Sequence, residues 1–562
     1  MKIYVGSAMS MYLMICLVFL FLSLKMGLLN GGSLVLEWEI SEKFMGEMGV
    51  LMVFDWVSCL FLASVFFISS WVSCFSGFYM SHEVFLGRFS HILQTFVFSM
   101  AILVMFPGYL GLMVGWDGLG IVSFLLVIYY MNSGSLSAGM ITAISNRIGD
   151  VCFIFVISIL SSFMSYNYMS GGVWSIWVLG SLILVGSMTK SAQVPFSAWL
   201  PEAMAAPTPV STLVHSSTLV TAGVYVLIRF SDYLNDFDKT ILMVMSILTM
   251  ILAGSSGVSE TDMKKVVALS TLSQVGMMMF CVSVGCNSVA FFHLLVHAFF
   301  KALMFMCVGG VIFYSGGNQD ARFLGGIWFK LPLTSALLVF SNLSLMGFPF
   351  FSGFYSKELV AGSYLGGSCS VIGLALLFIS LGFTMMYSIR MMSLVLQDLS
   401  SCAFSHYKME SFYYSFSLLM MASGGVFMSM VMQSFYGGFL SITFLHGSFF
   451  YFFFSMSTCL LINVLGLLVL VSGVKEKVFV KEFFSSMWFL KLLSGNILSS
   501  KFLILVSKYI SYVEMGWIRS YIWQNGLKEL MFGASNKFRK MNFNMLGLVL
   551  FYCFCFIVLV FY

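Results

Sequence analysis

Residues 189–217 read TKSAQVPFSAWLPEAMAAPTPVSTLVHSS, a polar and proline-rich stretch that lies between long apolar segments. It contains Lys190, Glu202 and His215, together with four of the seven prolines in the chain. Proline removes a backbone hydrogen-bond donor and interrupts a helix. Inside a bilayer such a break is tolerated only where neighbouring protein or a water-filled cavity provides hydrogen bonds to the freed backbone groups. A lysine next to a broken membrane helix therefore indicates a functional site on a polar path.

The composition is that of a polytopic membrane protein. Of the 562 residues, 60% are hydrophobic and only 9% are charged, whereas about one quarter of the residues in soluble domains are charged. The first apolar run, residues 9–24, lacks a small-residue cleavage site, so it is predicted to be a membrane span rather than a signal peptide. The net charge of +5 is spread along the chain, and no nucleic-acid-binding surface is predicted.

Several kinds of chemistry are excluded by the pattern of residues. The twelve cysteines include no CxxC pair, and single cysteines in apolar segments behave as small hydrophobic side chains, so no zinc or iron–sulfur site is predicted. No glycine-rich nucleotide-binding motif follows a strand. No catalytic triad or paired-acid site of a hydrolase is found. The 44 methionines and 61 phenylalanines are typical of proteins encoded in animal mitochondrial genomes.

The hydropathy pattern predicts an all-α fold with about fifteen transmembrane helices, since a span needs about 20 apolar residues. A polar insert at 37–47, which contains EWEI, is predicted to include a short surface strand. The predicted spans are 9–26, 50–75, 91–107, 109–131, 137–163, 173–200, 208–230, 240–258, 264–285, 287–314, 327–350, 368–397, 411–432, 449–472 and 543–562.

Six segments follow from these features. The broken segments with Lys190 and Lys357 lie about 165 residues apart, as in transporters built from repeats. Lys501, Lys508 and Arg519 fall on one helical face, which predicts an amphipathic helix along the membrane boundary. The predicted segments are 1–90 (first spans and polar insert), 91–230 (first half-channel), 231–397 (second half-channel), 398–473 (further spans), 474–540 (lateral amphipathic helix) and 541–562 (C-terminal anchor span).

Ionisable side chains recur inside the predicted spans, where a charge costs a few kcal/mol unless it is paired or hydrated. Asp117, in GWDGLG, can pair with Lys190, either as part of a proton path or as a static ion pair between helices. The candidate proton-relay residues are Asp117, Asp150, Lys190, His215, His293, His297, Lys301 and Lys357.

Other interpretations of these residues remain open at this point. Lys357 can extend its ammonium to the membrane interface instead of lying on a path. His293 and His297 share one helical face, which Lys301 continues; they can form a polar relay, be structural, or bind zinc with a further ligand. Arg147 and Asp150, in SNRIGD, can form a local pair at a span end or the mouth of a proton inlet.

Six stretches together identify a family resemblance over roughly residues 50–430. GWDGLGIVSFLLVIYY, SNRIGD, TKSAQVPFSAWLPEAMAAPTPVSTLVHSST, HAFFKALMFM, NQDARFLGG and GFPFFSGFYSKE, in this order, resemble the antiporter-like subunits of respiratory complex I. The resemblance implies two inverted five-helix repeats, each with a broken helix. The long boundary helix and the last span resemble the lateral helix and C-terminal anchor that one type of these subunits carries.

The resemblance also implies roles for the candidate residues. Asp117 and Lys190 are similar to the acid–lysine pair of the first half-channel, and Asp150 to an acidic group near the proton inlet. His215 is similar to the connecting group, and Lys301 with Lys357 to the central and distal relay. This chain departs from the pattern of the family at two places. Many members carry glutamate at the position of Asp117, and larger members have two spans before the polar insert, so an N-terminal helix is expected to be missing here.

The implied function is that of a proton-translocating core membrane subunit in the mitochondrial inner membrane. Electron transfer from NADH to ubiquinone would take place in other subunits, which would hold FMN, the Fe–S clusters and the quinone, and this chain would bind no cofactor. The implied partners are neighbouring antiporter-like subunits along the lateral helix, accessory subunits, and lipids such as cardiolipin. The alternatives are a subunit of a multisubunit cation/proton antiporter and a structural clamp of the membrane arm.

Overall fold

A computed structural model describes residues 2–28, 32–41, 48–162, 173–365, 371–396, 410–434, 482–490 and 499–513, with short stretches between 528 and 555. Within these ranges, eleven helices are long and apolar enough to cross a membrane. Two shorter apolar helices, Trp177–Lys190 and Pro332–Met346, belong to the broken segments. The all-α membrane fold is thus confirmed, while the total of about fifteen spans stays a prediction. The chain divides into two compact units, Met1–Lys491 and Leu492–Tyr562.

The N-terminal region contains a helix, a hairpin and a second helix. Helix α1 is Lys2–Leu28, and strands β1 (Leu34–Ser41) and β2 (Met48–Phe54) pair antiparallel. The strand predicted around EWEI is confirmed, but the predicted span 50–75 is wrong at its start, because its first residues form β2. Helix α2, Trp56–Tyr79, begins after Asp55, whose backbone N–H donates to the hydroxyl of Ser58.

The helices that follow build the first half of the bundle. Lys190 ends α6, so the predicted span 173–200 is ten residues too long, and an irregular stretch with Ala192 at φ +53° replaces its end. The described helices of this half are α3 (Leu86–Met105), α4 (Tyr109–Val127), α5 (Ser133–Ser162), α6 (Val173–Lys190), α7 (Trp199–Glu202), α8 (Thr208–Val210), a π-helix (Ser211–Thr218) and α9 (Leu219–Arg229).

The second half repeats a broken helix. Helix α14 ends at Met346, and Gly347 follows it with a left-handed φ of +78°, a conformation that favours glycine and terminates the helix before α15 starts. The predicted span 327–350 therefore divides at residues 331 and 347. The described helices of this half are α10 (Asp236–Ser259), α11 (Met263–Val284), α12 (Asn287–Tyr314), α13 (Ile327–Lys330), α14 (Pro332–Met346), α15 (Ser352–Leu365), α16 (Val371–Leu396) and α17 (Phe412–Ser434).

Helix α12 lies at the centre of this unit. All residues in its most apolar stretch are buried. The same share is 94% for Thr208–Arg229 and for Met263–Val284, but only 22% for α1. Outer helices expose large apolar side chains such as Phe98 and Ile154, as expected on a surface that faces lipid. The helices that carry His215, His293, His297 and Lys301 are thus the most completely buried, whereas α4 and α5, which carry Asp117 and Asp150, are only 39% and 33% buried.

The second unit contains helix α18, Ser499–Ile510. It exposes Phe502 and Leu505 together with Lys501 and Lys508, a combination typical of a helix at a membrane boundary. The remainder of the predicted lateral helix 474–540 lies largely outside the described residues, as do the predicted span 449–472 and most of the anchor 541–562.

Candidate functional site

Lys190 is the last residue of α6 and is completely buried. Its Nζ donates to the backbone carbonyl of Trp116, 2.5 Å away, and lies 3.8 Å from the centre of the same indole ring. The ring face attracts a cation, and the C-terminal end of a helix favours a positive charge. The ammonium is therefore stabilised by neutral groups of α4 and by the end of its own helix.

Asp117 forms its ion pair with Arg147 rather than with Lys190. The Nη1 atom of Arg147 lies 2.8 Å from Asp117 Oδ1 and 3.2 Å from Asp150 Oδ2. Successive residues on a helix point about 100° apart, so Trp116 faces Lys190 while the Asp117 side chain turns towards α5. The predicted direct contact is thus replaced by a guanidinium that bridges two carboxylates, both of which still act electrostatically on Lys190.

His215 lies in the π-helix, a conformation that occurs often at functional sites. It is buried, and within the described part of the chain neither ring nitrogen has a hydrogen-bonding partner. The ring centre is 6.2 Å from that of Trp199, whose Nε1 donates to the carbonyl of Thr189. Trp199 therefore contacts both His215 and the residue before Lys190, which puts His215 near the first lysine.

The two lysines of the second half are bound by neutral oxygens. Lys301 Nζ donates to the hydroxyl of Ser270 at 2.5 Å, and Lys357 Nζ donates to the carbonyl of Leu345 at the end of α14. Both side chains are buried, and they are close enough to repel each other when both are charged. Lys357 therefore points into the bundle, against the interpretation in which it extends to the membrane interface.

The histidine pair completes this second cluster. His293 and His297 are buried on α12 with ring centres 6.2 Å apart, and both interact electrostatically with the two lysines of this half. His293 Nδ1 lies 2.9 Å from the hydroxyl of Ser356, the residue before Lys357. The described residues contain no group of three or more His, Cys, Asp or Glu that could hold a metal ion.

Some participating residues were not found from the sequence. Trp116, Ser270 and Ser356 each contact a candidate residue, but serine and tryptophan are common in membrane helices for other reasons. Lys264 was not among the candidates either; the structure buries it in α11 with its Nζ 3.5 Å from the carbonyl of Ala206, where it contacts no relay residue among those described. Glu202 ends α7 and acts electrostatically on Lys265.

Comparison with known proteins gives consistent matches. Residues 108–384 match the family model described as NADH:quinone oxidoreductase/Mrp antiporter, TM. NADH-ubiquinone oxidoreductase chain 5 of Aedes aegypti is 46% identical over 362 residues, which are 63% of this chain and 62% of the relative. The protein of that name from Artemia franciscana is 40% identical over 475 residues, which are 82% of this chain and 84% of the relative.

A solved structure adds a likeness of fold. A structure of the Mrp complex from Dietzia sp. matches with a TM-score of 0.68 at 22% identity, covering 82% of this chain and 56% of that chain. At this identity the match shows the shared fold alone. The alignment with the mosquito relative also spans less than two thirds of the length of that relative.

Proposed function

Because the chain belongs to the NADH-ubiquinone oxidoreductase chain 5 family, we propose that it is a proton-translocating core subunit of NADH:ubiquinone oxidoreductase. It is a multi-pass protein of the mitochondrial inner membrane. The activity would be that of a translocase subunit, in which the redox reaction in other subunits drives proton movement through the buried residues of this chain.

The observation that carries the proposal is the environment of three buried lysines. Lys190, Lys301 and Lys357 each donate to a carbonyl or hydroxyl oxygen and form no salt bridge among the described residues. A fixed buried charge without a counter-ion is costly, whereas a lysine can give up its proton when its surroundings change. Neutral acceptors support both forms, which suits a site that is loaded and emptied.

Electrostatics suggests how a proton would pass through the second half. Since Lys301 and Lys357 repel each other, a proton that arrives at Lys301 favours proton release from Lys357. The histidines between them can accept and pass on a proton. Buried side chains without a partner among the described residues, such as Gln274, Asn342 and His297, need hydrogen bonds that ordered water typically supplies. Water would therefore complete the steps between side chains.

The first half is suited to receive the signal from neighbouring subunits. Movement of Arg147 away from Asp117 or Asp150 would leave a carboxylate free to attract the ammonium of Lys190. Return of Arg147 would neutralise the carboxylates and favour proton loss from the lysine. Under this proposal Asp117, Asp150 and Arg147 control Lys190, and His215 passes the proton towards the second half.

The proposal assigns the redox chemistry to other subunits. NADH, FMN, the Fe–S clusters and ubiquinone would be bound there, and this chain would contact neighbouring antiporter-like subunits, accessory subunits and lipids such as cardiolipin. Two rival functions share the fold. One is transport of another cation by a multisubunit antiporter, and the other is a structural role in which the charges only hold helices together.

The test is Lys190→Ala in the assembled complex, with Lys239→Ala as the control. Lys239 is only half-buried at the start of α10 and lies outside the proposed path. We expect normal assembly with a loss of at least about tenfold, or ~1.4 kcal/mol, in turnover and proton pumping together. Full proton pumping would remove Lys190 from the path, and failed assembly in Lys190→Ala alone would favour the structural role. Transport of Na⁺ or K⁺ that the substitution abolishes would favour the antiporter.

A further inference from the structure

A second group of polar side chains lies between α10, α11 and α16 and meets the relay only at Ser270. Its central residue is Tyr387 of α16, a buried tyrosine whose hydroxyl is 3.2 Å from the hydroxyl of Ser273 on α11. We refer to this group as the tyrosine seam. Its buried members are Ser256, Ser270, Ser273, Gln274, Thr384, Tyr387 and Ser388.

The inner end of the tyrosine seam reaches the relay. The hydroxyl of Ser270 accepts a hydrogen bond from the ammonium of Lys301. The backbone carbonyl of Ser270 accepts one from the hydroxyl of Ser273 at 3.0 Å. Since Ser273 donates its proton to that carbonyl, the Tyr387 hydroxyl is the donor to Ser273. Gln274 lies near the same tyrosine hydroxyl but outside hydrogen-bond geometry, and its buried amide has no partner among the described residues.

The outer end of the tyrosine seam reaches the loop between α10 and α11. Arg390, one turn beyond Tyr387, donates to the carbonyl of Val258 at 2.5 Å and acts electrostatically on Glu260. Glu260 follows the last residue of α10 and lies outside the membrane-spanning segments. Its backbone N–H donates to the carbonyl of Ser256, which ties the carboxylate-bearing residue to the seam.

These contacts place polar groups at intervals from Glu260 to Lys301. Water would carry the proton across the gaps, because the hydroxyl of Ser273 donates to the backbone carbonyl of Ser270, which cannot pass a proton on. We propose that the tyrosine seam is a proton-uptake route that leads from Glu260 at the membrane surface, past Tyr387, to Lys301. The inference rests on the proposed proton-translocating function and adds an access route to its second half. Ser270 follows Met263, the first residue of α11, by seven positions, so the route is only about 10 Å deep along that helix.

The charges around Glu260 suit an uptake site. Lys265 and Arg390 favour its ionised form, while burial and Asp262 oppose it. Burial has the larger effect and raises the pKa of the Glu260 carboxyl above its ordinary value, so the group binds a proton closer to neutral pH than a free glutamate. Gln274 and the lone pairs of the Tyr387 hydroxyl then offer hydrogen bonds to water inside the seam.

The test compares two tyrosines that are equally buried. Tyr387→Phe removes the hydroxyl from the seam, whereas Tyr414→Phe removes a hydroxyl that has no hydrogen-bonding partner among the described residues and lies in an aromatic cluster with Phe75 and Phe78. Both variants are purified in the assembled complex, together with Lys301→Met. NADH:quinone turnover, protons pumped per electron and the pH dependence of turnover are measured for each.

We expect Tyr387→Phe to lower coupled proton pumping about fivefold, the effect of one lost hydrogen bond. Tyr414→Phe should match the unmodified complex. Equal results for the two tyrosine variants would overturn the uptake route. If Lys301→Met also pumped normally, the proposed function itself would fail, whereas a loss in Lys301→Met alone would reject only the route.

If the complex with Tyr387→Phe does not assemble, the smaller substitution Ser273→Ala tests the uptake route instead. Ser273→Ala removes the hydroxyl that joins Tyr387 to Ser270 and leaves the packing of α16 intact. Reduced pumping with normal assembly in Ser273→Ala would support the route. Unchanged pumping would overturn it, because the link from Tyr387 through Ser273 to Ser270 would then have no effect on proton movement.

Discussion

The two halves of the bundle surround their lysines in different ways. In the first half, Lys190 is under the influence of two carboxylates, Asp117 and Asp150, and of the guanidinium of Arg147. In the second half, Lys301 and Lys357 meet histidines, hydroxyls and carbonyls, and the charge that acts on Lys301 is that of the other lysine. One half thus has charges that can be rearranged, and the other has sites that compete for a proton.

This difference separates two tasks. A lysine near carboxylates responds to the movement of a third charged group, because that movement alters which form of the lysine is favoured. Charging Lys301 and Lys357 at the same time is costly, because the two repel each other and no carboxylate acts on either. A proton that enters at one lysine therefore favours release from the other. Under the proposed function, the first half would sense the neighbouring subunits and the second half would transmit protons.

The largest expected effect is at the lysines of the second half, on which no carboxylate acts. Lys301→Met removes the central proton-binding group and retains an apolar side chain of similar length in the core of α12. We expect at least about a tenfold loss of coupled turnover, or ~1.4 kcal/mol in the barrier. The measurement is NADH:quinone turnover with proton pumping in the assembled complex.

Lys264→Met is the matched control for this substitution. Lys264 is also buried and donates to a backbone carbonyl, but it lies at the start of α11 and contacts no relay residue among those described. We expect a smaller loss than for Lys301→Met. Equal losses would mean that any buried lysine matters only for packing and charge balance.

A smaller effect is expected at Arg147, which distinguishes the first half. Arg147→Met frees Asp117 and Asp150 to attract Lys190 and should hold the lysine in its charged form. The ion pair is partly exposed, so we expect an effect of about 1 kcal/mol, or roughly fivefold slower turnover. A structure of the variant should show Asp117 turned towards Lys190. Arg147→Lys keeps the charge and should recover most of the activity; equal activities of the two variants would reject the control function of this residue.

The smallest expected effect concerns the pH dependence of stability at the loop beside the second half. Burial raises the pKa of Glu260 in the folded protein, so the protonated form is favoured there and the associated stability is lost as pH rises through that pKa. Below the ordinary glutamate pKa of about 4.3, Glu260→Gln should match the unmodified protein. Above the raised pKa the variant should resist heat better. Thermal inactivation at pH 4 and pH 8 measures this, and a variant that is less stable than the unmodified protein at pH 8 would contradict it.

The sequence predicted the helices and the positions of the buried charges because both depend on local composition. Strand β2 was missed since MGVLMVF is as apolar as the start of a span. The ends of α6 and α14 were misplaced because proline and glycine only mark the region of a break. The partner of Asp117 and the contacts of Ser270 and Ser356 depend on how neighbouring helices are rotated, which no single segment encodes.

The central claim is that the lysines of the two halves act on one proton path. The most direct test is a double-mutant cycle with Lys190→Ala, Lys357→Ala and the combined variant, in which protons pumped per electron and turnover are measured in the assembled complex. Residues of one path are non-additive, so the combined variant should be no worse than the more impaired single variant. Losses that multiply, with each half failing independently of the other, would contradict a single connected path.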